Sequence, residues 1–423
     1  MSNATPPDDS RALCEAFVAV RRLTEALAAP LSAEDQLIQS MPSASPTKWH
    51  RAHTTWFFET FVLRPLGHEP LDPLNDYLWN SYYDAVGARH PRPRRGMLSR
   101  PSLDAVAAYR RATDARIVDA LSGLDDGRLA AIAPIVRLGL AHEQQHQELI
   151  LTDILHALAQ SPLRPAYRAP IAEVLAEPTA AARFVGYDGG LVEIGAPEGP
   201  FAFDNEGPRH RVWLEPFELA DRPVTVGEVK AFIAAGGYRS ASLWLSEGWD
   251  WLRREQIEAP LYWRLEGDAA RAFTLEGERD LDDAEPAGHL AYFEADAIAR
   301  FLGARLPDER EWEHAAPPEV HGHFLDLARP LHPTRAGGGA PYGTAWVWTR
   351  SAYAPYPGYR AGAGALGEYN GKFMVNQMVL RGGSCFTPPG HVRPSYRNFW
   401  YPDTRFQLTG LRLARDPEVR AAL

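Results

Sequence analysis

Two histidines four residues apart, in the string His142-Glu143-Gln144-Gln145-His146, constrain this chain more than any other feature in it. On an α-helix such a pair projects from one face, one turn apart, where a single metal ion can take both imidazoles. The segment is therefore expected to be helical and to seek further ligands elsewhere. The same string satisfies the HExxH pattern of zinc proteases, in which the glutamate is a general base beside the metal. Glu143 is then either that base or a bystander to a three-histidine site for another metal.

With 423 residues the chain exceeds one ordinary hydrophobic core, so two domains are expected. The first 165 residues or so read as helical. Apolar residues recur at helical spacing over Arg11–Ala28, over Ala52–Leu63, over Ser102–Leu121 with Ser102 as N-cap, and over Pro134–Leu158 with proline in the first turn. Four helices and one long loop, Gly67 to Pro101, describe an up-down bundle, in which metal sites are built from inward-facing side chains. A loop of that length in a compact domain is usually functional.

Residues 166–183, rich in alanine and proline, read as a helical linker. From Phe184 to the end, Gly, Pro, Trp and Tyr dominate. Short strand-like runs occur at Leu191–Ile194, Arg211–Leu214 and Val379–Arg381, and two helices at Val226–Ala235 and Tyr292–Leu302. That pattern predicts an irregular α+β domain held by turns and aromatic packing.

A net charge of −10 argues against a nucleic-acid surface, and no apolar run approaches the length of a membrane span. The polar start, Met1 to Ser10, carries no signal-peptide core and reads as a frayed tail. Only Cys14 and Cys385 are present, a reduced-compartment pattern that points to the cytoplasm. Oligomeric state has no signature here.

For the third ligand, His53 is the best candidate, among aromatics in Trp49-His50-Arg51-Ala52-His53-Thr54-Thr55-Trp56, with His50 its local competitor. The protease reading is weaker. His146 is followed by Gln147, Glu148 and Leu149, with no glycine turn and no histidine at the extended spacing. Glu173 or Glu177 would have to serve from the linker. Three neutral nitrogens with open positions suit Fe(II), although zinc accepts the same donors.

Trp49-x-x-x-His53 together with His142-Glu143-Gln144-Gln145-His146-Gln147-Glu148 resembles the DinB-type bundle of the ergothioneine-biosynthesis sulfoxide synthases. The second half resembles their formylglycine-generating-enzyme (sulfatase-modifying-factor) domain, which is related to the C-type lectin fold. Its marks are Arg222-Pro223-Val224-Thr225, the run Ala304 to Glu313, Trp346-Val347-Trp348-Thr349, Leu380-Arg381-Gly382-Gly383-Ser384 and Gly410-Leu411-Arg412-Leu413-Ala414. The resemblance implies an α+β multidomain protein: a bundle over 1–165, the linker, and the irregular domain over 184–423.

It also implies an Fe(II)- and O2-dependent enzyme that joins a cysteine thiol to imidazole C2 of trimethylhistidine (hercynine) and oxidises the sulfur. Carried over, His53, His142 and His146 are the iron ligands, while Gln145 and Asn398 contact hercynine. One branch of the family uses γ-glutamylcysteine and holds its glutamyl part with an acid and an arginine. Here those positions are Trp400 and Thr404, with Arg405 one residue off. The free-cysteine branch carries a Tyr-Tyr pair in the loop after the first ligand, matched by Tyr82 and Tyr83, so cysteine is the expected donor.

Either phenol can donate a proton at neutral pH. In the basic cluster that follows, Arg92 is the first choice for the cysteine carboxylate and Arg95 the second. A quaternary ammonium offers no hydrogen to donate, so aromatic faces recognise it. Phe399, Trp400, Trp346 and Trp348 are the candidates, with Phe399 and Trp400 beside Asn398 preferred. Cys385 has no second cysteine nearby, which excludes a copper–thiolate site of the formylglycine-generating kind. The active site is expected between the two domains. Rival readings are a synthase using a selenium donor or unmethylated histidine, a HExxH zinc hydrolase, and a non-catalytic binding module.

Overall fold

The computed structural model describes residues 9–172, 181–267, 269–335, 340–362 and 365–417. The chain divides into two compact units. The first comprises Met1–Tyr167, Glu198–Phe203 and Ala361–Asn370; the second comprises Arg168–Pro197, Asp204–Arg360 and Gly371–Leu423. Two stretches from beyond Phe184 therefore belong to the first unit.

The first unit is built on α1 (Ser10–Ala28), α2 (Thr47–Phe58), α3 (Asn75–Trp79), α4 (Leu103–Ser122) and α5 (Asp126–Gln160). Helices α1, α2, α4 and α5 form the bundle, and α3 lies in the long loop. Ser102 caps α4 as expected, its hydroxyl accepting from Ala105 N.

Two boundaries differ from expectation. Helix α2 starts earlier, at Thr47, behind Pro46, whose fixed φ suits helix entry, and it continues as a π-helical turn over Glu59–Leu63. Helix α5 starts at Asp126, capped by Asp125, so Pro134 lies inside the helix and not in its first turn. Tertiary packing outweighs the lost hydrogen bond there: Ala133 and Val136 are fully buried.

An apolar cluster of Leu13, Phe17, Phe58, Val62, Ile117, Leu121, Leu129, Ile132 and Val136 fills one end of the bundle. Gly139 leaves room for the Phe58 ring of α2 against α5, since a Cβ there would lie 2.6 Å from that ring. Every residue of α2 is buried, including Lys48, His50, Arg51 and His53. Their polar atoms are matched; Lys48, for example, donates to the carbonyls of Leu98 and Pro101.

The expected linker shows no helix over 162–172, where Pro162, Pro165 and Pro170 remove backbone donors. Its residues 173–180 lie outside the described residues, as do residues 1–8 of the expected frayed tail.

The second unit holds β1 (Phe184–Tyr187), β2 (Gly190–Ile194), β3 (His210–Leu214), β4 (Phe217–Pro223), β5 (Trp263–Glu266), β6 (Ala269–Thr274), β7 (Gly277–Asp280), β8 (Gly322–His323), β9 (Tyr342–Gly343), β10 (Trp346–Ala352), β11 (Met378–Arg381), β12 (Asn398–Trp400), β13 (Thr409–Gly410) and β14 (Arg412–Arg415). Its largest sheet runs β12-β11-β10-β13, and a second runs β1-β4-β14.

Helices α6 (Val226–Ala234) and α8 (Tyr292–Phe301) match the two expected. Helices α7 (Ser246–Glu255) and α9 (Glu309–Ala315) were not anticipated: α7 is charged and tryptophan-rich, and α9 is too short to show a period. The sequence marks of this half are structural joints. Thr225 and Asp308 cap α6 and α9, Arg222 pairs with Glu228, and buried Arg381 bridges Glu309 and Glu313. No helix among the described residues is long and apolar enough to cross a membrane.

Candidate metal centre

Helix α2 carries His53, and α5 carries His142 and His146. One ring nitrogen from each lies within 4.8 Å of the others. His53 is sandwiched between Trp49, 4.5 Å away at 15°, and Trp56, 5.7 Å away at 20°. Its Nδ1 donates to the Trp79 carbonyl at 2.6 Å, which leaves the Nε2 lone pair free.

That Nε2 faces Nε2 of His142 at 3.1 Å. The gap is closed by a proton or by a metal cation, and only a cation can also engage His146. His142 Nδ1 is buried without a hydrogen-bond partner. Burial pushes the pKa of His142 down to about 3. Burial and the neighbouring imidazoles hold those of His53 and His146 well below the usual histidine value, with Arg95 adding to both. Three neutral nitrogens in a dry site therefore fit a divalent metal. His50, the competing third ligand, stands behind His146, with its Nδ1 2.7 Å from His146 Nδ1.

Glu143 points the other way. Its carboxylate accepts from Arg21 Nη1 at 2.8 Å, from Thr24 Oγ1 at 2.6 Å and from Arg110 Nη2. Burial alone would raise its pKa, but Arg110 and Arg21 overcome this and hold it at about 2. A fully buried carboxylate held by two guanidiniums is no general base for a metal-bound substrate. Glu173 and Glu177, the other residues that the protease reading needs, lie outside the described residues.

The Tyr82 and Tyr83 rings lie 4.6 Å apart, tilted by 32°, and burial raises the Tyr83 phenol well above its usual value. Asn80 fixes their turn, its Oδ1 accepting from Tyr83 N at 3.0 Å. The Glu368 carboxylate accepts from Asp84 N at 3.0 Å and Ala85 N at 2.9 Å.

The next residue, Tyr369, escaped the sequence reading. Its ring meets His142 edge-on at 5.7 Å, stacks on Phe203 at 5.5 Å, and its hydroxyl donates to Gln145 Oε1. Tyr82 meets the same ring at 6.1 Å. The only sequence cue was a tyrosine within a glycine-rich stretch, and that carries no periodicity.

The basic cluster splits. Arg92 is exposed and donates to the Ser43 carbonyl. Arg95 is 3% exposed and lies 3.4 Å over the Trp49 ring. It donates to Ser45 Oγ at 2.9 Å and Ser81 Oγ at 3.0 Å, and its Nε is buried without a partner. Burial and nearby Arg92 push its pKa well down, and among the described residues it forms no ion pair.

Residues 16–150 match the DinB superfamily, and residues 172–323 match the sulfatase-modifying factor enzyme 1-like domain. The chain is 32% identical to the hercynine oxygenase of Mycobacterium tuberculosis over 405 residues, covering 89% of this chain and 92% of that one. It is 32% identical to the hercynine oxygenase of Mycolicibacterium thermoresistibile, covering 90% of each. The chain belongs to the hercynine oxygenase family. A formylglycine-generating enzyme from Thermomonospora curvata is 31% identical, covering 31% of this chain and 48% of that one.

For a hercynine oxygenase, the expected contacts of the second half lie on or near β12. Asn398, Phe399 and Trp400 are half-buried, and Phe399 stacks on Tyr353 at 4.0 Å and 9°. Trp346 and Trp348 are wholly buried, with Trp348 Nε1 donating to the Leu290 carbonyl, so these two serve packing. Arg405 is committed to buried Glu294 at 3.0 Å. Cys385 is buried and forms no disulfide.

Proposed function

We propose that this chain is an Fe(II)- and O2-dependent sulfoxide synthase that joins free cysteine to imidazole C2 of hercynine, giving hercynyl-cysteine sulfoxide. The observation that carries the proposal is the buried cluster of three neutral imidazoles in a chain that matches hercynine oxygenases along about 90% of its length. His53, His142 and His146 hold the iron. When bound, the metal activates O2 and gathers thiol and imidazole beside it.

The overall reaction balances. C2–H and S–H are lost, the C–S bond forms, one oxygen atom ends on sulfur and the other leaves as water. O2 accepts four electrons, two from C–S formation and two from sulfur. No other reductant is needed.

The chain's own residues orient and protonate. Arg95, with an unsatisfied Nε and no ion pair among the described residues, receives the cysteine carboxylate. Tyr369, edge-on to His142, is placed to hold a proton near the metal and shares that task with Tyr82 and Tyr83. Gln145, bonded to Tyr369, faces hercynine. Asn398, Phe399 and Trp400 are assigned to hercynine on the sequence resemblance. The pairing of Arg405 with Glu294 supports free cysteine over γ-glutamylcysteine, since that guanidinium is already occupied. Two cysteines that form no disulfide support a cytoplasmic location.

The test is O2 consumption and product mass with Fe(II), hercynine and either thiol. Sulfoxide is expected with cysteine at the higher kcat/KM. No oxygen uptake with either thiol contradicts the proposal.

A further inference from the structure

His50 is not a ligand, yet it is tied to one. It lies one turn before His53 on α2 and directs Nδ1 at His146 Nδ1, 2.7 Å away, and Nε2 at Asp153 Oδ2, 3.0 Å away. Asp153 follows His146 on α5, and its Oδ2 also accepts from Ser45 N at 2.7 Å. His50 is 2% exposed and Asp153 5%, so water does not compete for these bonds.

The hydrogens of this chain can be assigned in turn. A carboxylate only accepts, so His50 Nε2 carries the hydrogen and donates it. The neutral ring then presents a lone pair at Nδ1. The hydrogen bridging the 2.7 Å gap must therefore sit on Nδ1 of His146. That leaves His146 with its lone pair at Nε2, the atom available to the metal.

The three ligands are thus backed unequally. His53 leans on a neutral backbone carbonyl, His142 Nδ1 has no partner, and His146 leans on an imidazole that is itself anchored to a carboxylate. Hydrogen bonds of this kind fix the tautomer and ring orientation of a ligand and raise its basicity.

We propose that His50 and Asp153 are positioning residues that lock His146 in its metal-binding tautomer and make it the strongest donor of the three. The proposal rests on the metal centre and is independent of the substrates.

The test is anaerobic Co(II) titration of the metal-free full-length chain, followed by competition with a chelator and by visible absorption. His50→Phe keeps the ring shape and removes the acceptor. Co(II) affinity is expected to fall about 10- to 100-fold. His50→Asn places a carbonyl oxygen near the former Nδ1 position and is expected to restore most of that loss. Asp153→Asn should fall between them, and it serves if His50→Phe does not fold. Thermal unfolding of the metal-free proteins separates a general loss of stability from a loss of metal affinity.

Equal affinity of His50→Phe and the unaltered chain overturns the relay, as does equal loss in the Phe and Asn variants. An unaltered chain that binds no Co(II) overturns the metal centre and the relay together. Absent hercynine turnover alongside the expected affinity pattern contradicts only the proposed function.

Discussion

Adjacent residues of α5 face two different environments. His142 and His146 look into a dry pocket of neutral rings, where burial disfavours their protonation and, among the described residues, no carboxylate forms an ion pair with Arg95. Glu143 looks into an equally buried network where every charge is matched: Arg21 also pairs with Asp114, and Arg110 with Glu25. Burial costs both groups solvation. On one face the deficit is filled by opposite charge; on the other, the proposed function would fill it with a metal cation and the cysteine carboxylate.

The largest effect should come from the open face. His142→Ala or His146→Ala should abolish stoichiometric metal and cut oxygen-dependent turnover on the order of a thousandfold. Metal analysis of folded protein checks this, and retained turnover would erase the distinction. On the matched face, Glu143→Gln leaves two buried guanidiniums short of a partner. It should cost about 3–5 kcal/mol and lower the thermal midpoint by roughly 10 °C, with metal content unchanged. A calorimetric midpoint equal to that of the unaltered chain would show the network to be ornamental.

A smaller effect separates the two arginines. Arg95→Met should raise KM for cysteine about tenfold or more, from the loss of a charge-assisted hydrogen bond. Arg92→Met should leave it within about twofold. Equal effects in steady-state assays would return Arg92 to first place. The smallest concerns how tightly the helices that carry the ligands are packed. Gly139→Ala should cost about 1–3 kcal/mol through collision with Phe58, read as a lower midpoint in urea.

These contrasts also explain what the sequence could tell. His142 and His146 were legible because helical period is local, and His53 because the aromatics around it mark a buried face. The bundle, the strand-rich second half and the three strand runs named from the sequence followed from spacing, composition and resemblance, while the other strands did not. Tyr369 and Glu368 were invisible, since only the fold brings residues 361–370 into the first unit. The choice of Arg95 over Arg92 depends on which side of a 3-10 turn faces inward, and that turn spans too few residues for a periodic signal. The start of α5 was misplaced because Pro134 looked like a first-turn proline, whereas Asp125 supplies the cap.

The central claim is that the imidazoles of the HExxH string act on a metal while its glutamate only supports the fold. Turnover per bound metal in Glu143→Gln, measured by oxygen uptake with hercynine and cysteine below its thermal midpoint, tests this most directly. The account predicts a kcat within about threefold of the unaltered chain. Folded, metal-replete protein without turnover would contradict it.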